Sequence, residues 1–187
     1  MAGLMRRFRR GAQAREIEAQ RQRLYRLAYA WCHDPALADD LVQEALTKAL
    51  RKERQLRDRA RLETWLFRIL ANCWHDHLRA RRPTDDVDEL VLGHEDTPEL
   101  RLGHSELVAS VRAAVAMLPV GQREAITLVD LEGFSYAETA QILEVPVGTV
   151  MSRISRGRAR LKALLQAHRP GAQTASRASV RRLRRVK

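Results

Sequence analysis

The sequence predicts an all-α chain built as two small helical domains joined by an acidic linker. Apolar residues recur at intervals of three and four through most of the 187 residues, which is the signature of one buried helical stripe after another. Glycine and proline are sparse, nine and six, and collect at the breaks between those stripes. Aromatic content is only 5%, while leucine, alanine and arginine abound, a composition that favours helices over sheets. The length accommodates one domain or two small ones, and the charge pattern favours two. The chain divides into a basic N-terminal tail (1–13), a first helical domain (14–83), an acidic linker (84–104), a second helical domain (105–166) and a basic tail (167–187).

The first helix is expected from about Ala14 to Trp31, with Ile17, Leu24, Leu27, Ala28 and Trp31 on one side. Asp34-Pro35 restarts the chain. Aspartate serves as N-cap, and proline fits the first helical position because its missing N–H would have no partner there anyway. Leu37, Leu41, Val42, Ala45, Leu46, Ala49 and Leu50 then form the buried stripe of a second helix, and its outer face carries Asp39, Asp40, Gln43, Glu44 and Thr47. A polar, basic segment from Arg51 to Arg61 leads into a long helix from about Leu62 to Arg82, which Pro83 ends.

That long helix has two stripes. Leu62, Leu66, Ile69, Cys73 and His77 read as its core side. Arg61, Trp65, Arg68, Asn72, His75, Arg79 and Arg82 recur at alternating spacings of four and three, giving a second ridge of basic, aromatic and amide groups. Such a ridge suits a separated nucleic-acid strand, since guanidinium groups track phosphates while aromatic and amide groups meet unstacked bases. A packing role is the simpler reading of Trp65.

Beyond the linker, Leu107, Val111, Ala114, Val115 and Leu118 mark a helix stopped by Pro119. Another, from about Gln122 to Leu131, ends at Gly133, where a left-handed C-terminal cap is expected. Ser135 followed by Glu138 is a capping box that opens the next helix, with Ala137, Ala140, Ile142 and Leu143 inward. Glu144-Val145-Pro146 breaks it, because proline disfavours helical geometry in the residue before it. The last helix starts at about Val147, and Val147, Val150, Ile154, Gly157, Leu161 and Leu164 face a core. Its opposite side carries Gly148, Ser152, Ser155 and Arg156, flanked by Thr149, Met151, Arg153 and Arg160. Two helices, a short turn and an arginine-rich second helix are the punctuation of a helix-turn-helix. Polar groups near the start of its second helix can reach base edges in the major groove, and arginines can neutralise phosphates. DNA is therefore the first partner to consider.

Net charge is +11, and its distribution is more telling than its size. Residues 1–15 hold five arginines and no acid, and residues 166–187 hold seven basic residues and no acid. Residues 83–104 hold seven acids against Arg101 alone. The tails read as electrostatic tethers and the acidic stretch as a flexible linker. Two cysteines, Cys32 and Cys73, imply no disulfide framework and point to a reducing cytoplasm. No run of about 18 apolar residues could span a membrane, and the N-terminus has no apolar core of signal-peptide length.

Together the two halves resemble the extracytoplasmic-function group of bacterial sigma factors, which keep the second and fourth conserved regions of the larger sigma-70 family. In the first half the likeness lies in Asp40-Leu41-Val42-Gln43-Glu44 and in Thr64-Trp65-Leu66-Phe67-Arg68-Ile69 with Asn72 downstream. In the second it lies in Leu118-Pro119, Arg123-Glu124-Ala125, Gly133-Phe134-Ser135-Tyr136, and Val145 to Val150 followed by Ser152-Arg153. It covers about residues 14–166. The resemblance implies that Asp40, Gln43 and Glu44, with Asp39 beside them, dock on the β′ clamp of core RNA polymerase. It implies that the long helix and the loop before it melt the −10 element and hold a flipped-out base, an event that costs a few kcal/mol and needs replacement contacts. Leu56 then belongs to the base-specificity loop, and Arg61, Arg68, Asn72 and Arg79 face the strand. The last helix reads the −35 element through Thr149, Met151, Ser152, Arg153, Ser155, Arg156 and Arg160. An anti-sigma protein is a further partner the family implies. No catalysis, cofactor, membrane association or obligate homo-oligomer is expected.

Met151 and Ser155 depart from residues common at these places in the family, so the promoter sequence does not follow from the resemblance. Gly157 stands where alanine is common, at a helix-interior cost of about 1 kcal/mol unless it permits a close helix crossing. Three rival readings are weaker. A nuclease would draw on Asp39, Asp40, Asp85, Asp86 and Asp88, which lie on an exposed helix face and in the linker with no pocket implied. A zinc site would draw on Cys32, His33, Cys73, His75 and His77, yet no Cys-x-x-Cys pairing exists. The serious alternative is a homodimeric operator-binding regulator with the same helix-turn-helix, but residues 14–82 contain no heptad seam or ligand-pocket pattern.

Overall fold

The computed structural model describes residues 14–53, 56, 58–81 and 106–167, and no strand is present among them. The two basic tails, the acidic linker and the expected position of Arg82 therefore lie outside the described residues.

The first helical stretch is interrupted, contrary to the single helix expected from Ala14 to Trp31. Helix α1 covers residues 14–19, and the Gln20 N–H then bonds back three residues to the Ile17 carbonyl at 3.1 Å, tightening the turn before α2 (Arg21–Cys32). Ile17 and Leu24 are both fully buried despite that break. At its far end α2 stops in a left-handed residue, His33 (φ 56°), whose N–H reaches the Tyr29 carbonyl at 2.8 Å. Asp34 then caps α3 (Pro35–Lys52) as expected, its carboxylate accepting from the N–H groups of Ala36 and Leu37 at 2.9 and 3.1 Å. A 3-10 turn, Arg59–Arg61, with Asp58 as its cap, precedes the long helix α4 (Leu62–Arg81).

The second domain contains α5 (Glu106–Ala116), α6 (Val120–Ile126), α7 (Tyr136–Leu143) and α8 (Val147–Ala167). Helix α6 runs on as a π turn, Thr127–Leu131, closed by a bond from the Glu132 N–H to the Thr127 carbonyl at 3.1 Å. Gly133 follows at φ 77°, the left-handed stop expected there. A Cβ at this position would meet nothing within 4 Å, so only the backbone requires glycine. Gly133→Ala is expected to cost about 1–2 kcal/mol in urea unfolding, and an unchanged midpoint would contradict this account of the turn.

Helices α2, α3 and α4 form one bundle, while α6, α7 and α8 form another with α5 laid on α8. The two are not separate. Helix α4 packs along α7, and α2 touches α5 and α6, so buried residues of both domains belong to one apolar cluster. This explains why α4 buries more than its expected core side. Phe67, Leu70, Ala71, Trp74 and Leu78 are buried in addition to Leu62, Leu66 and Cys73, whereas Ile69 and His77 are half-buried. A helix contacted on two sides does not show a single stripe. Smaller differences have the same local character. Leu50, Val111 and Val147, expected inside, are exposed, and on α7 Ala137 is exposed while Thr139 is buried.

Gly157 faces α6 as a close crossing requires. A Cβ added there would fall inside contact distance of the Ile126 Cδ1 and 3.3 Å from the Gln122 Cβ. The helix-propensity cost of this glycine is thus offset by a tighter seat for α8 on α6, which fixes how α8 is presented.

Candidate nucleic-acid and polymerase interfaces

On α3 the residues at positions 39, 40, 43 and 44 fall on one face, and Asp39, Asp40, Gln43 and Glu44 are all exposed. The opposite face buries Ala38, Leu41, Val42, Ala45, Leu46 and Ala49. One member has a partner that periodicity did not single out: the Glu44 carboxylate pairs with Lys48 one turn later at 2.8 Å, and Lys48 also approaches Asp76 on α4 at 3.6 Å. The hydrogen bond from Lys48 to Glu44 pushes the Lys48 pKa up to about 12. An exposed acidic face of this kind can steer and orient a basic partner surface.

The ridge of α4 is brought together in part. Arg61 and Asn72 are exposed, Trp65, Arg68 and His75 are half-buried, and Arg79 is exposed. Arg61 lies 3.5 Å from Asp58, and Arg79 donates to Asp76 at 2.6 Å, which holds the Asp76 carboxyl below its ordinary value. Leu56, half-buried, joins Asp58, Arg61, Thr64, Trp65 and Arg68 around a cavity of about 420 Å³, and the remaining wall is Gln141 from α7. Chemically this cavity offers an aromatic face, two guanidinium groups and a carboxylate, a set that can stack a planar base while neutralising a phosphate. His75 is committed elsewhere: its Nε2 lies 2.8 Å from the Oε1 of Glu124 in the second domain.

The helix-turn-helix is formed by α7 and α8. Ser135 and Glu138 make the reciprocal capping box, with the Ser135 N–H donating to Glu138 at 2.8 Å and the Glu138 N–H donating to the Ser135 hydroxyl at 3.2 Å. Helix α7 ends at Glu144, a left-handed residue (φ 55°) placed just before Val145-Pro146. The hydrogen bonds from the Ser135 side chain and backbone hold the Glu138 carboxyl below its ordinary value. A carboxyl depressed in the folded state contributes stability that is present above its unfolded pKa and is lost as pH falls through the folded one. Ser135→Ala is expected to cost about 1 kcal/mol at neutral pH and to flatten the acid limb of a stability profile below about pH 4.5; an acid limb of unchanged slope would contradict it.

On α8, Met151, Ser152, Ser155, Arg156 and Arg160 are exposed and Thr149 is partly so. The Ser152 hydroxyl donates to the Thr149 carbonyl at 2.9 Å. Arg153 departs from the expected outer face. It is only 5% exposed. Its position explains this, because Val150, Arg153, Ile154 and Gly157 share the inward stripe at spacings of three and four. Arg158, not singled out from the sequence, makes a two-pronged bond to Asp130 at 2.6 and 3.2 Å, tying α8 to the end of the π turn. Among the described residues, no three His, Cys, Asp or Glu side chains are grouped to hold a metal ion. Burial pushes the Cys32 thiol up to about 11, and Cys73 is raised for the same reason.

Comparison with known proteins places each half. Residues 17–84 match the model of Sigma-70 region 2, and residues 109–161 match that of Sigma-70, region 4. The chain is 37% identical over 152 residues to the RNA polymerase sigma-H factor of Pseudomonas aeruginosa, covering 75% of this chain and 79% of that protein. It is 40% identical over 129 residues to the ECF RNA polymerase sigma factor EcfG of Rhodopseudomonas palustris, covering 68% and 71%. The chain belongs to the ECF group of the sigma-70 family of RNA polymerase sigma factors. Among solved structures, this sigma factor is similar to the sigma factor RpoE of Bartonella quintana in complex with the anti-sigma factor NepR, with TM-score 0.69 and 34% identity over 83% of this chain and 97% of that one. It is also similar to CnrH in complex with the cytosolic domain of CnrY, with TM-score 0.63 and 30% identity over 84% and 89%. The sigma factor is no enzyme; it serves transcription initiation by directing promoter recognition.

Region 2 of this sigma factor comprises α2 to α4 and carries the acidic face and the ridge. Region 4 comprises α5 to α8 and carries the helix-turn-helix. Sequence reasoning missed the polar contacts between them. The Trp31 indole N–H donates to the Thr127 hydroxyl at 2.8 Å, Arg123 donates to the Trp31 carbonyl, and the Arg23 Nε donates to Glu132 at 3.0 Å. Burial opposes the Arg23 charge, yet its bonds to Glu63 and Glu132 together hold its pKa above the ordinary value. The Phe67 and Phe134 rings meet edge to face at 4.9 Å. These pairs are separated by some 50–110 residues in sequence and leave no local signal.

Proposed function

We propose that this sigma factor docks on the β′ clamp of core RNA polymerase through Asp39, Asp40, Gln43 and Glu44. Leu56, Arg61, Arg68, Asn72 and Arg79 engage the melted −10 element, and Thr149, Met151, Ser152, Ser155, Arg156 and Arg160 engage the −35 element. Arg153 is withdrawn from that set because its side chain is buried. The observation that carries the proposal is the exposure of a polar face on α3 and of a second, arginine-bearing face on α8 in one chain, each backed by its own buried stripe. Two recognition faces on two domains fit a factor that lends DNA specificity to another enzyme. The protein works in the cytoplasm, where core polymerase is found, and no helix among the described residues is long and apolar enough to cross a membrane. The similarity to RpoE, bound in its structure to the anti-sigma factor NepR, supports an anti-sigma partner here as well.

The test compares promoter binding by the free chain with binding in the presence of core polymerase. Sequence-specific binding should be weak for the free chain and strong for the complex. Tight binding of a palindromic site by the free chain as a homodimer would instead favour an operator-binding regulator.

A further inference from the structure

We infer that Met151 is a base-specificity residue of this chain: its side chain takes the C5 methyl group of a thymine in the major groove, so that one pair of the −35 element is required to be T·A. The inference rests on the proposed engagement of that element by α8. Three observations carry it.

The first is where Met151 stands. It is the fifth residue of α8, in the N-terminal part of the helix, where a helix-turn-helix brings side chains to base edges. It is 54% exposed, and Val147, one turn earlier at the same edge, is 43% exposed. A large apolar side chain held in water at the centre of a reading surface gains by being covered, and DNA offers it a single kind of partner. Among the groups that bases present in the major groove, the thymine methyl alone is apolar; the rest are hydrogen-bond donors and acceptors. Met151 set against one of those would desolvate it without replacing its bond. The unbranched thioether also adjusts readily to the shape of what it meets.

The second is the asymmetry of the outer face. Thr149, Arg156 and Arg160 lie along one edge at spacings of seven and four, which gives that edge two exposed guanidinium groups. Along the other edge lie Val147, Met151 and Ser155, and the next residue there, Arg158, is already paired with Asp130 at 2.6 and 3.2 Å. One edge is therefore suited to phosphates and guanine, and the other to a methyl group.

The third is the surroundings of Met151. Gly148, Ser152 and Ser155 are small, and a Cβ at Gly148 would meet nothing within 4 Å, so base edges can come close to the helix beside Met151. Ser152 does not duplicate its role. The Ser152 hydroxyl donates to the Thr149 carbonyl at 2.9 Å, which leaves its oxygen as an acceptor for an amino group of cytosine or adenine.

The experiment uses the full chain with core polymerase and a duplex carrying a promoter that the chain transcribes. Each thymine of the −35 element, on either strand, is replaced in turn by deoxyuridine, which removes the C5 methyl and preserves the pairing. At one position the complex should bind about three- to tenfold more weakly, as expected for the loss of one buried methyl group. Met151→Ala should weaken binding to the unmodified promoter by a similar factor and be indifferent to uracil at that position; circular dichroism confirms that the variant folds. With that T·A pair changed to C·G, 5-methylcytosine should recover part of the loss for the original chain and none for Met151→Ala. A −35 element in which no uracil replacement weakens binding, or one in which Met151→Ala responds to uracil as the original chain does, would overturn the inference. Arg156→Ala and a scrambled −35 element separate the two levels. If both weaken binding while uracil has no effect, only the role of Met151 fails; if neither weakens it, the assignment of α8 to the −35 element fails and the inference falls with it.

Discussion

Replacing Arg123 by alanine is expected to lower the unfolding free energy by about 3–5 kcal/mol, more than the loss of either the Ser135 cap or the Gly133 turn. Its guanidinium is 1% exposed and donates to the carbonyls of Ala116 at 2.5 Å and Leu118 at 3.0 Å, and to that of Trp31 in the other domain. The first two belong to the end of α5 and the turn after it, where carbonyls have no helical partner of their own. Losing the donor leaves three buried acceptors unmatched, at about 1–3 kcal/mol each before water enters, and it removes a neighbouring positive charge from the buried Glu124. Burial lowers the Arg123 pKa to about 10, which still leaves the group charged at neutral pH. Lysine is a poor substitute, since one ammonium cannot reproduce a planar fork that reaches carbonyls in several directions. Chemical denaturation of the two variants measures both effects; a loss below about 1 kcal/mol for alanine would show that solvent satisfies these carbonyls unaided.

The second large effect is on polymerase binding. Asp40→Lys with Glu44→Lys is expected to weaken association with core polymerase by about 10–100-fold, equivalent to about 1.4–2.8 kcal/mol. Both carboxylates are exposed, and Glu44 is tied to Lys48 in a surface pair one turn along the same helix. Such pairs contribute about 0.3–0.5 kcal/mol, so the fold should survive the double change. Titration of fluorescently labelled chain with core polymerase reads the affinity, and circular dichroism reads the fold. Arg156→Ala serves as the contrast, leaving core binding alone while weakening binding to the −35 element. Affinity within twofold of the original for the α3 variant would remove the docking assignment.

Local punctuation was the part of the fold most legible in the sequence. Asp34-Pro35, Gly133 and the Ser135/Glu138 pair each act through atoms within a few residues of themselves, so spacing alone identifies them. The outer face of α3 was equally plain, since one stripe of that helix is apolar and the other is polar and exposed. Helix α4 was harder. It lies between α2 and α3 on one side and α7 on another, so Phe67 and Trp74 join the core from directions a single stripe does not predict. Arg153 was misplaced because residue type suggested the solvent side while its position, between Val150 and Gly157 on the inward stripe, decided otherwise. The contacts that join the two domains were invisible for a different reason. Trp31 with Thr127, and His75 with Glu124, meet across distances of 96 and 49 residues, and neither member of a pair carries any mark of its partner.

A factor of this kind stands or falls on whether it confers promoter specificity on core polymerase. Run-off transcription with purified bacterial core polymerase on genomic fragments of the host, with and without the chain, tests this directly. New discrete start sites are expected that share a −35 and a −10 sequence and disappear with Asp40→Lys/Glu44→Lys. No new transcripts, together with tight sequence-specific DNA binding by the free chain, would contradict it.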